Sequence, residues 1–266
     1  MKRFTDEGRT LVCFDFDETY FPHACSADQL ASVRRLEDFL ERHSSSVSTM
    51  WVTGSSLASI HEKAKRANLR FWPHRIASSL GTELYRIETD GTFVEDKAYQ
   101  EPFPSDFVSR VERIVSQTGQ MHIELDEQPG NGMSPWIRSY YVRDQVGSWR
   151  ETLRMLTDSA GIAVNMSRCN PKAGDPADAF DVDFYPKHAG KVSSLEYVYA
   201  TASFSREDTY AFGDSGNDIS MLAYVGNGYL VNNATEQAKQ MYPEMTTKPY
   251  AEGILEVLES DLSSFI

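Results

Sequence analysis

The sequence predicts an α/β protein with a doubly wound parallel sheet and a second, α+β domain inserted into it. Apolar strands and amphipathic helices alternate before residue 85 and again after Lys191, which is typical of a parallel sheet with helices on its faces. Between these regions the pattern changes to a hairpin and mixed elements. Polar residues directly follow three predicted strands, at the sheet edge where such folds bind their ligands.

The first region contains three predicted strands separated by two helices. An apolar strand over residues 10–16 precedes a helix at whose start Ser26 and Gln29 fit a capping box. A second strand over residues 47–52 leads into another amphipathic helix. The stretch "RIASSLGTEL", residues 75–84, is predicted as the third strand.

The insert is predicted to span residues 85–184, which leaves residues 1–84 and 185–266 as the two parts of the core domain. A hairpin is predicted around Asp90 and Gly91. Strict alternation over residues 179–186 predicts a strand with Phe180, Val182 and Phe184 on one face. The other predicted strands of the insert cover residues 121–125, 139–143 and 163–167, and its helices are centred on residues 107–115 and 149–156.

Composition and charge exclude several classes of protein. The 266 residues carry a net charge of −13, which disfavours nucleic acid or an anionic membrane as partner. No apolar stretch approaches the roughly 20 residues of a membrane span, and the first residues lack the apolar core of a signal peptide. Cys13, Cys25 and Cys169 have no metal-ligand spacing. We therefore expect a cytoplasmic protein with reduced thiols.

The strand ends carry the candidate chemistry. Asp15 and Asp17 follow the first strand, Thr53 begins a small-residue turn after the second, and "GDSGND", residues 213–218, follows a strand near the C-terminus. Converging carboxylates of this kind suit Mg²⁺. A carboxylate beside the metal can attack phosphorus, and a second can move protons. Thr53 and Lys191 would stabilise the charge of a phosphoryl group.

Each of these pieces taken alone has a simpler interpretation. An aspartate at a strand end is most often a turn residue or a helix cap, and "VTGSS" alone is more often the start of a helix than a phosphate cradle. A single Gly-Lys pair carries almost no information. Chance does not readily explain why all of these pieces occur together, in this order, at predicted strand ends and a helix start.

The stretches "DFDET", "VTGSS", "GK" and "GDSGND", in this order, resemble the four motifs of haloacid dehalogenase-superfamily phosphatases. The long segment between the second and third motifs lies where the sucrose-phosphatase-like branch has its cap. The resemblance implies a Rossmann-like core, an α+β substrate-specificity cap, and a Mg²⁺-dependent phosphoric monoester hydrolase acting through an aspartyl phosphate. Likeness in "DFDETYFPH", "WVTGSS", "RCNPKAGDP" and "FGDSGND" narrows the implied substrate to kanosamine 6-phosphate, an amino-sugar phosphate of antibiotic biosynthesis.

The resemblance also implies a role for individual residues. Asp15 would be the nucleophile and Asp17 the general acid and base, while Thr53 and Lys191 would hold the transferring phosphoryl group. Asp218 would support the metal waters or Lys191. The metal set is Asp15, Asp17 through its backbone carbonyl, Asp214 and Asp218. The substrate-binding set is Thr53, Gly54, Ser55, Asn217, Arg168, Asp181, Asp183 and His23.

Two stretches point to substrate selection. Glu18 stands where many relatives have glycine, and "YFPH" (residues 20–23) follows where a plain aliphatic residue is common, so we expect this stretch to shape the pocket entrance. The second stretch, residues 168–183, is rich in acids and donors that suit sugar hydroxyls and an ammonium group. A solvated loop is the simpler alternative, and a calcium loop is excluded because the twelfth residue counted from Asp175 is Pro186.

Four other interpretations stay open to different degrees. The substrate could be sucrose phosphate or another hexose phosphate, and a phosphosugar mutase of the same fold would return the phosphoryl group to sugar. A signalling receiver domain also combines Asp, Thr and Lys around Mg²⁺, but receivers are about half this length. A non-catalytic sensor descended from a phosphatase is disfavoured because every catalytic residue type is retained.

Overall fold

The computed structural model describes residues 1–129, 131–132, 134–143, 148–169 and 176–262. The chain divides into two compact units. Unit 1 consists of Met1–Gln100 with Gly190–Ile266, and unit 2 consists of Glu101–Ala189.

Strands and helices follow one another along the whole chain. In order they are β1 (Lys2–Arg3), β2 (Thr10–Phe14), α1 (Ala27–Arg42), β3 (Val47–Val52), α2 (Leu57–Arg66), β4 (Phe71–Trp72), β5 (Arg75–Ser78), β6 (Glu83–Ile87), β7 (Phe93–Glu95), α3 (Phe107–Gln120), β8 (Asp126–Glu127), β9 (Arg138–Arg143), α4 (Trp149–Ala160), β10 (Ile162–Arg168), β11 (Ala179–Pro186), α5 (Lys191–Thr201), β12 (Thr209–Gly213), α6 (Ile219–Tyr224), β13 (Asn227–Leu230), α7 (Glu236–Met241) and α8 (Tyr250–Leu262).

Unit 1 is built on a seven-stranded sheet in the order β13-β12-β2-β3-β5-β6-β7. The five strands from β13 to β5 are parallel, and β6 and β7 continue the sheet as antiparallel strands. All of β3 and nearly all of β2 is buried, as expected of parallel strands with both faces covered. The chain leaves β2 towards β3 and later returns on its other side as β12, so the predicted doubly wound sheet is confirmed and its switch point lies between β2 and β12.

The third predicted strand is correct in part only. Residues 75–84 form β5 and the start of β6, two antiparallel strands that a short 3-10 turn at Ser79–Gly81 separates. Gly81 has φ +72°, and a Cβ there would lie 2.6 Å from the carbonyl carbon of Gly190. The reversal therefore needs glycine twice over, for its left-handed backbone and for this close approach.

The capping box at the start of α1 is confirmed, since Ser26 accepts from the Gln29 N–H and Gln29 accepts from the Ser26 N–H. The hairpin around Asp90 and Gly91 is also confirmed, as β6 and β7. In the structure this hairpin extends the sheet of unit 1, whereas the sequence analysis placed it in the insert. Unit 2 accordingly begins at Glu101 and not at residue 85.

Unit 2 is a four-stranded antiparallel sheet in the order β10-β11-β9-β8, with α3 and α4 on one face. Phe180, Val182 and Phe184 of β11 pack with these helices, as predicted. The strand predicted at residues 121–125 is wrong, because the chain leaving α3 turns there and pairs only at β8. In the described part of the chain, no helix is both long and apolar enough to cross a membrane.

Candidate active site

The two aspartates of the first motif lie at the switch point of the unit 1 sheet. Asp15 directly follows β2, and its N–H donates to the Phe212 carbonyl of β12 at 2.8 Å, which extends the pairing by one residue. Its side chain is consequently only slightly exposed, with 6% of the residue accessible. Asp214 directly follows the neighbouring strand β12. The parallel pairing of β2 and β12 therefore places these carboxylates at one edge of the sheet.

Lys191 is the first residue of α5, and it contacts Asp15 after β2 and Asp218 in the turn after β12. Its Nζ lies 2.6 Å from Asp15 Oδ1 and 2.5 Å from Asp218 Oδ1. The other oxygen of Asp218 accepts from the backbone N–H groups of Asp214 and Ser215, at 3.1 and 3.0 Å. Both oxygens of Asp218 are thus engaged by protein donors.

The charge balance of this group fits a bound cation. Ligand atoms of Asp15, Asp214 and Asp218 lie within 4.8 Å of one another. Burial raises the pKa of Asp15 to about 7 although Lys191 opposes the shift, and burial with the Asp15 and Asp218 charges raises the pKa of Asp214 to about 9. Burial would lower the pKa of Lys191, but Asp15 and Asp218 outweigh it and raise that pKa. Three carboxylates thus face one ammonium, and a divalent cation would restore the balance.

Asp17 lies in a separate network of donors. Its Oδ1 contacts Lys63 Nζ at 2.6 Å and His23 Nε2 at 2.8 Å, and its Oδ2 accepts from Ser55 Oγ at 2.6 Å. Burial would raise the pKa of Asp17, but the hydrogen bonds from His23, Lys63 and Ser55 and the charge of Lys63 lower it to about 2. The structure therefore shows Asp17 as an ionised carboxylate held by three side chains.

The turn after β3 contains the predicted Thr53, Gly54 and Ser55. Thr53 is buried, and its Oγ1 accepts from the Ser55 N–H at 3.0 Å. A Cβ on Gly54 would lie 3.1 Å from Leu80, so the turn packs tightly there. The Ser55 hydroxyl is directed to Asp17, as described above. Asn217 lies exposed in the turn after β12, where its Oδ1 accepts from Ser215 Oγ at 2.9 Å.

The predicted substrate residues of unit 2 do not all lie on one face of its sheet. Asp181 and Asp183 share the face opposite to α3 and α4, where Asp183 accepts from Ser139 at 2.7 Å and from Asn165 at 3.2 Å. Arg168 pairs with Phe180 in register, and its guanidinium lies 5.3 Å from the centre of that ring, so it belongs to the other face. The predicted Asn170, Lys172 and Asp175 of the same stretch lie outside the described residues.

Most of the stretch predicted to shape the pocket entrance is core. Tyr20 and Phe21 are almost completely buried among Phe14, Phe16 and Trp51, so they do not line a surface. The predicted entrance role is therefore wrong for these two residues, because their rings fill the space between β2, β3 and the helices of unit 1.

Glu18 and His23 remain as the polar members of that stretch. Glu18 has φ +57°, a left-handed backbone that glycine adopts without strain. Its carboxylate accepts from the His23 N–H at 3.0 Å and from the Tyr250 hydroxyl at 2.7 Å. These bonds compensate for a backbone strain of roughly 1–2 kcal/mol.

Sequence reasoning missed Lys63, Thr19 and Tyr250. Thr19 is fully buried and its hydroxyl donates to Asp214 Oδ1 at 3.3 Å, yet a threonine in a turn gives no sequence signal. Lys63 is one of three basic residues in the last turn of α2. One signal in the sequence could have indicated Lys63: on α2 it lies next to Ile60 and Ala64, the buried residues of that helix.

Comparison with known proteins agrees with this geometry. Residues 8–260 match the family described as sucrose-6F-phosphate phosphohydrolase. Kanosamine-6-phosphate phosphatase of Bacillus subtilis (strain 168) is 37% identical over 262 residues, which cover 96% of this chain and 93% of that protein. An uncharacterized hydrolase of Staphylococcus aureus is 30% identical over 260 residues, covering 93% and 94% of the two chains.

Solved structures show the same fold. A haloacid dehalogenase-like hydrolase from Bacillus subtilis has a TM-score of 0.75 at 34% identity, with 98% of this chain and 94% of that chain covered. The sucrose-phosphatase of Synechocystis sp. PCC6803, solved with sucrose and phosphate, has a TM-score of 0.73 at 20% identity, with 95% and 98% covered.

The fold, the arrangement of carboxylates and lysine, and these relatives together define a phosphoric monoester hydrolase of the haloacid dehalogenase superfamily. Within that superfamily, the chain belongs to the sucrose-6F-phosphate phosphohydrolase family.

Proposed function

We propose that this phosphatase hydrolyses the 6-phosphate of an amino hexose, kanosamine 6-phosphate, with Mg²⁺ and through an aspartyl phosphate on Asp15. The observation that carries the reaction is the buried group of Asp15, Lys191 and Asp214 at the switch point of the sheet. The 37% identity to kanosamine-6-phosphate phosphatase over 96% of the chain supports this substrate.

In the first step a carboxylate oxygen of Asp15 forms a bond to phosphorus, and the bond from phosphorus to the sugar oxygen breaks. Lys191 holds Asp15 Oδ1 and offers positive charge beside the transferring group. Thr53 accepts from Ser55 through its oxygen, which leaves its hydroxyl proton to donate to a phosphoryl oxygen. This step requires the protonated form of Asp17, which is the minor form at neutral pH because the pKa of Asp17 is about 2, and in that form Asp17 gives the departing sugar oxygen its proton.

In the second step water attacks the phosphorus of the aspartyl phosphate. Asp17 accepts the proton of this water, and the bond from phosphorus to Asp15 breaks, which regenerates the carboxylate and releases phosphate. Asp218 stays outside these transfers and keeps Lys191 in place through its 2.5 Å contact.

The metal would be held by Asp15, Asp214 and the backbone carbonyl of Asp17. When bound, Mg²⁺ supplies positive charge that reduces repulsion between an anionic phosphate and an anionic nucleophile. The chain's own contribution is to keep Asp214 in place, through the Thr19 hydroxyl at 3.3 Å and the Asp218 contact to the Asp214 N–H.

We propose that unit 2 is the substrate-specificity cap and that its polar sheet face recognises the sugar. Asp181 and Asp183 are carboxylates on one face, and Ser139, Asn165 and Gln128 donate to them and fix their orientation. Carboxylates held in this way suit hydroxyl groups and an ammonium group through charge-assisted hydrogen bonds. Cys13 and Cys25 form no disulfide, which supports a reducing compartment such as the cytoplasm.

Replacing the nucleophile tests the mechanism. Asp15→Asn should abolish phosphate release, because an amide does not form the acyl phosphate, while the melting temperature stays at or above that of the wild type. Full activity in this folded variant would refute the mechanism.

A panel of sugar phosphates tests the substrate. Phosphate release from kanosamine 6-phosphate, glucose 6-phosphate and sucrose 6F-phosphate should show the highest kcat/KM for the first. The family description favours sucrose phosphate as the second candidate. Equal kcat/KM for kanosamine and glucose 6-phosphates would remove the amino group from the proposal, and appearance of an isomeric sugar phosphate without free phosphate would indicate a mutase.

A further inference from the structure

We propose that Lys63 is a positioning residue that ties Asp17 to the turn containing Ser55 and so orients Asp17 towards the leaving group. This inference rests on the proposed function, in which Asp17 protonates the departing sugar oxygen. None of the residue roles derived above requires a basic residue in α2.

The contacts of Lys63 form a closed set of three side chains. Its Nζ donates to Asp17 Oδ1 at 2.6 Å and to Ser55 Oγ at 2.8 Å. Ser55 Oγ in turn donates to Asp17 Oδ2 at 2.6 Å. Each carboxylate oxygen of Asp17 is therefore fixed by a separate donor, and Lys63 fixes both of its partners at once.

The set connects two turns that come from neighbouring strands. Asp17 lies in the turn after β2, whereas Ser55 lies in the turn after β3 and donates its N–H to Thr53 Oγ1 at 3.0 Å. Lys63 thus sets the distance between the group that moves the proton and the turn proposed to hold the phosphoryl group. Small errors in such a distance cost about 100-fold in rate.

The pair contributes to position as well as to folding. The side chains of Lys63 and Asp17 are only 20% and 27% exposed, and Lys63 helps to lower the pKa of Asp17. Without Lys63, His23 would still hold Oδ1 of Asp17 and Ser55 would still hold Oδ2. What Lys63 adds is the link between Asp17 Oδ1 and Ser55 Oγ, and the melting temperature of each variant separates a loss of stability from a loss of position.

Substrates with different leaving groups distinguish a role of Lys63 in orienting the general acid from a role in phosphoryl binding or in folding. A sugar alkoxide is strongly basic and needs a proton from Asp17, whereas p-nitrophenolate leaves without one. The parameter to compare is kcat/KM, since it reports only on the steps up to departure of the alcohol or phenol. Loss of orientation at Asp17 should therefore affect the sugar phosphate and spare p-nitrophenyl phosphate.

The experiment measures kcat/KM of wild type and Lys63→Met with a hexose 6-phosphate and with p-nitrophenyl phosphate. We expect a decrease of about 10- to 100-fold with the sugar phosphate, which is part of what general acid catalysis contributes. We expect no comparable decrease with p-nitrophenyl phosphate. Lys65→Met is the matched control, because Lys65 lies exposed on the same helix, and it should match the wild type with both substrates.

Two further variants guard against loss of the fold. Lys63→Arg keeps the charge and the donors and should recover part of the lost kcat/KM. Ser55→Ala removes one bond to Asp17 without changing the charge, and it should show the same substrate dependence to a smaller extent. Melting temperatures identify any variant that does not fold, and the Ser55 variant then carries the test.

An equal loss with both substrates would overturn the inference, because Lys63 would then serve the phosphoryl group or the fold. Unchanged activity of a folded Lys63→Met with the sugar phosphate would overturn it as well. Failure of the proposed function looks different: the wild type would hydrolyse neither substrate, or Asp15→Asn would keep its activity.

Discussion

Replacing Gly213 by alanine should disconnect Asp218 from the site it supports. A Cβ at Gly213 would lie 2.4 Å from Asp218 Cβ, 2.5 Å from its Cγ and 2.8 Å from its Oδ2. Ordinary contacts of such atoms begin at 3.4 Å, so Asp218 must move by about 1 Å. Asp218 is completely buried and holds Lys191 together with the Asp214 and Ser215 amides.

A displacement of this size should lower kcat by about 100-fold, because Lys191 and the Asp214 turn lose their common partner. Overpacking should also lower the free energy of unfolding by about 1–3 kcal/mol. The assays are phosphate release, measured well below the melting temperature, and urea unfolding. Gly216→Ala is the control, since nothing lies within 4 Å of a Cβ at that position in the same turn. A wild-type kcat for Gly213→Ala, or an equal loss in both variants, would refute the reasoning.

The remaining predictions concern the metal and the buried charges. Mg²⁺ at about 100 times its dissociation constant should stabilise the wild type by about 2.7 kcal/mol in thermal unfolding and Asp214→Asn much less; equal gains would contradict the proposed site. Burial lowers the pKa of His74 from 6.5 to about 4, although its contact with the Asp6 carbonyl opposes the shift. The folded state thus binds fewer protons, so stability present above pH 6.5 should fall by about 3 kcal/mol as the pH drops to 4, and His74→Asn should lose this dependence in urea unfolding. Arg70→Met removes the guanidinium that donates to the fully buried Glu37 at 2.8 Å but keeps the backbone N–H that also donates to it, so the free energy of unfolding should fall by about 1–3 kcal/mol, with an unchanged urea midpoint as the contrary result.

Much of the fold follows from local pattern. The bounds of β11 agree with the predicted residues 179–186, because the alternation along this strand records which of its faces is buried. The pattern was misleading at residues 75–84, where a reversal at Gly81 separates β5 from β6. The reversal depends on the close approach of Gly190, more than a hundred residues away in the chain.

The residues of the candidate site also differ in whether the sequence predicts them. Asp15 and Asp214 could be predicted, because the carboxyl ends of parallel strands meet at one edge whatever the details of packing. Lys63 could not, since its meeting with Asp17 across 46 residues depends on how α2 packs beside the turn after β2. Tyr20 gave the opposite error, because only the packed core shows that its ring points inward.

The sequence by itself determined the order of strands and helices, the doubly wound class and the residue types that gather at the strand ends. These properties depend on periods of two and 3.6 residues and on motifs a few residues long, which the chain encodes locally. Only the tertiary structure decided that Asp218 contacts Lys191, that Arg168 lies on the face away from Asp181, and that Lys63 and His23 contact Asp17. Those contacts are set by the packing of distant segments, and packing leaves no periodic trace in the sequence.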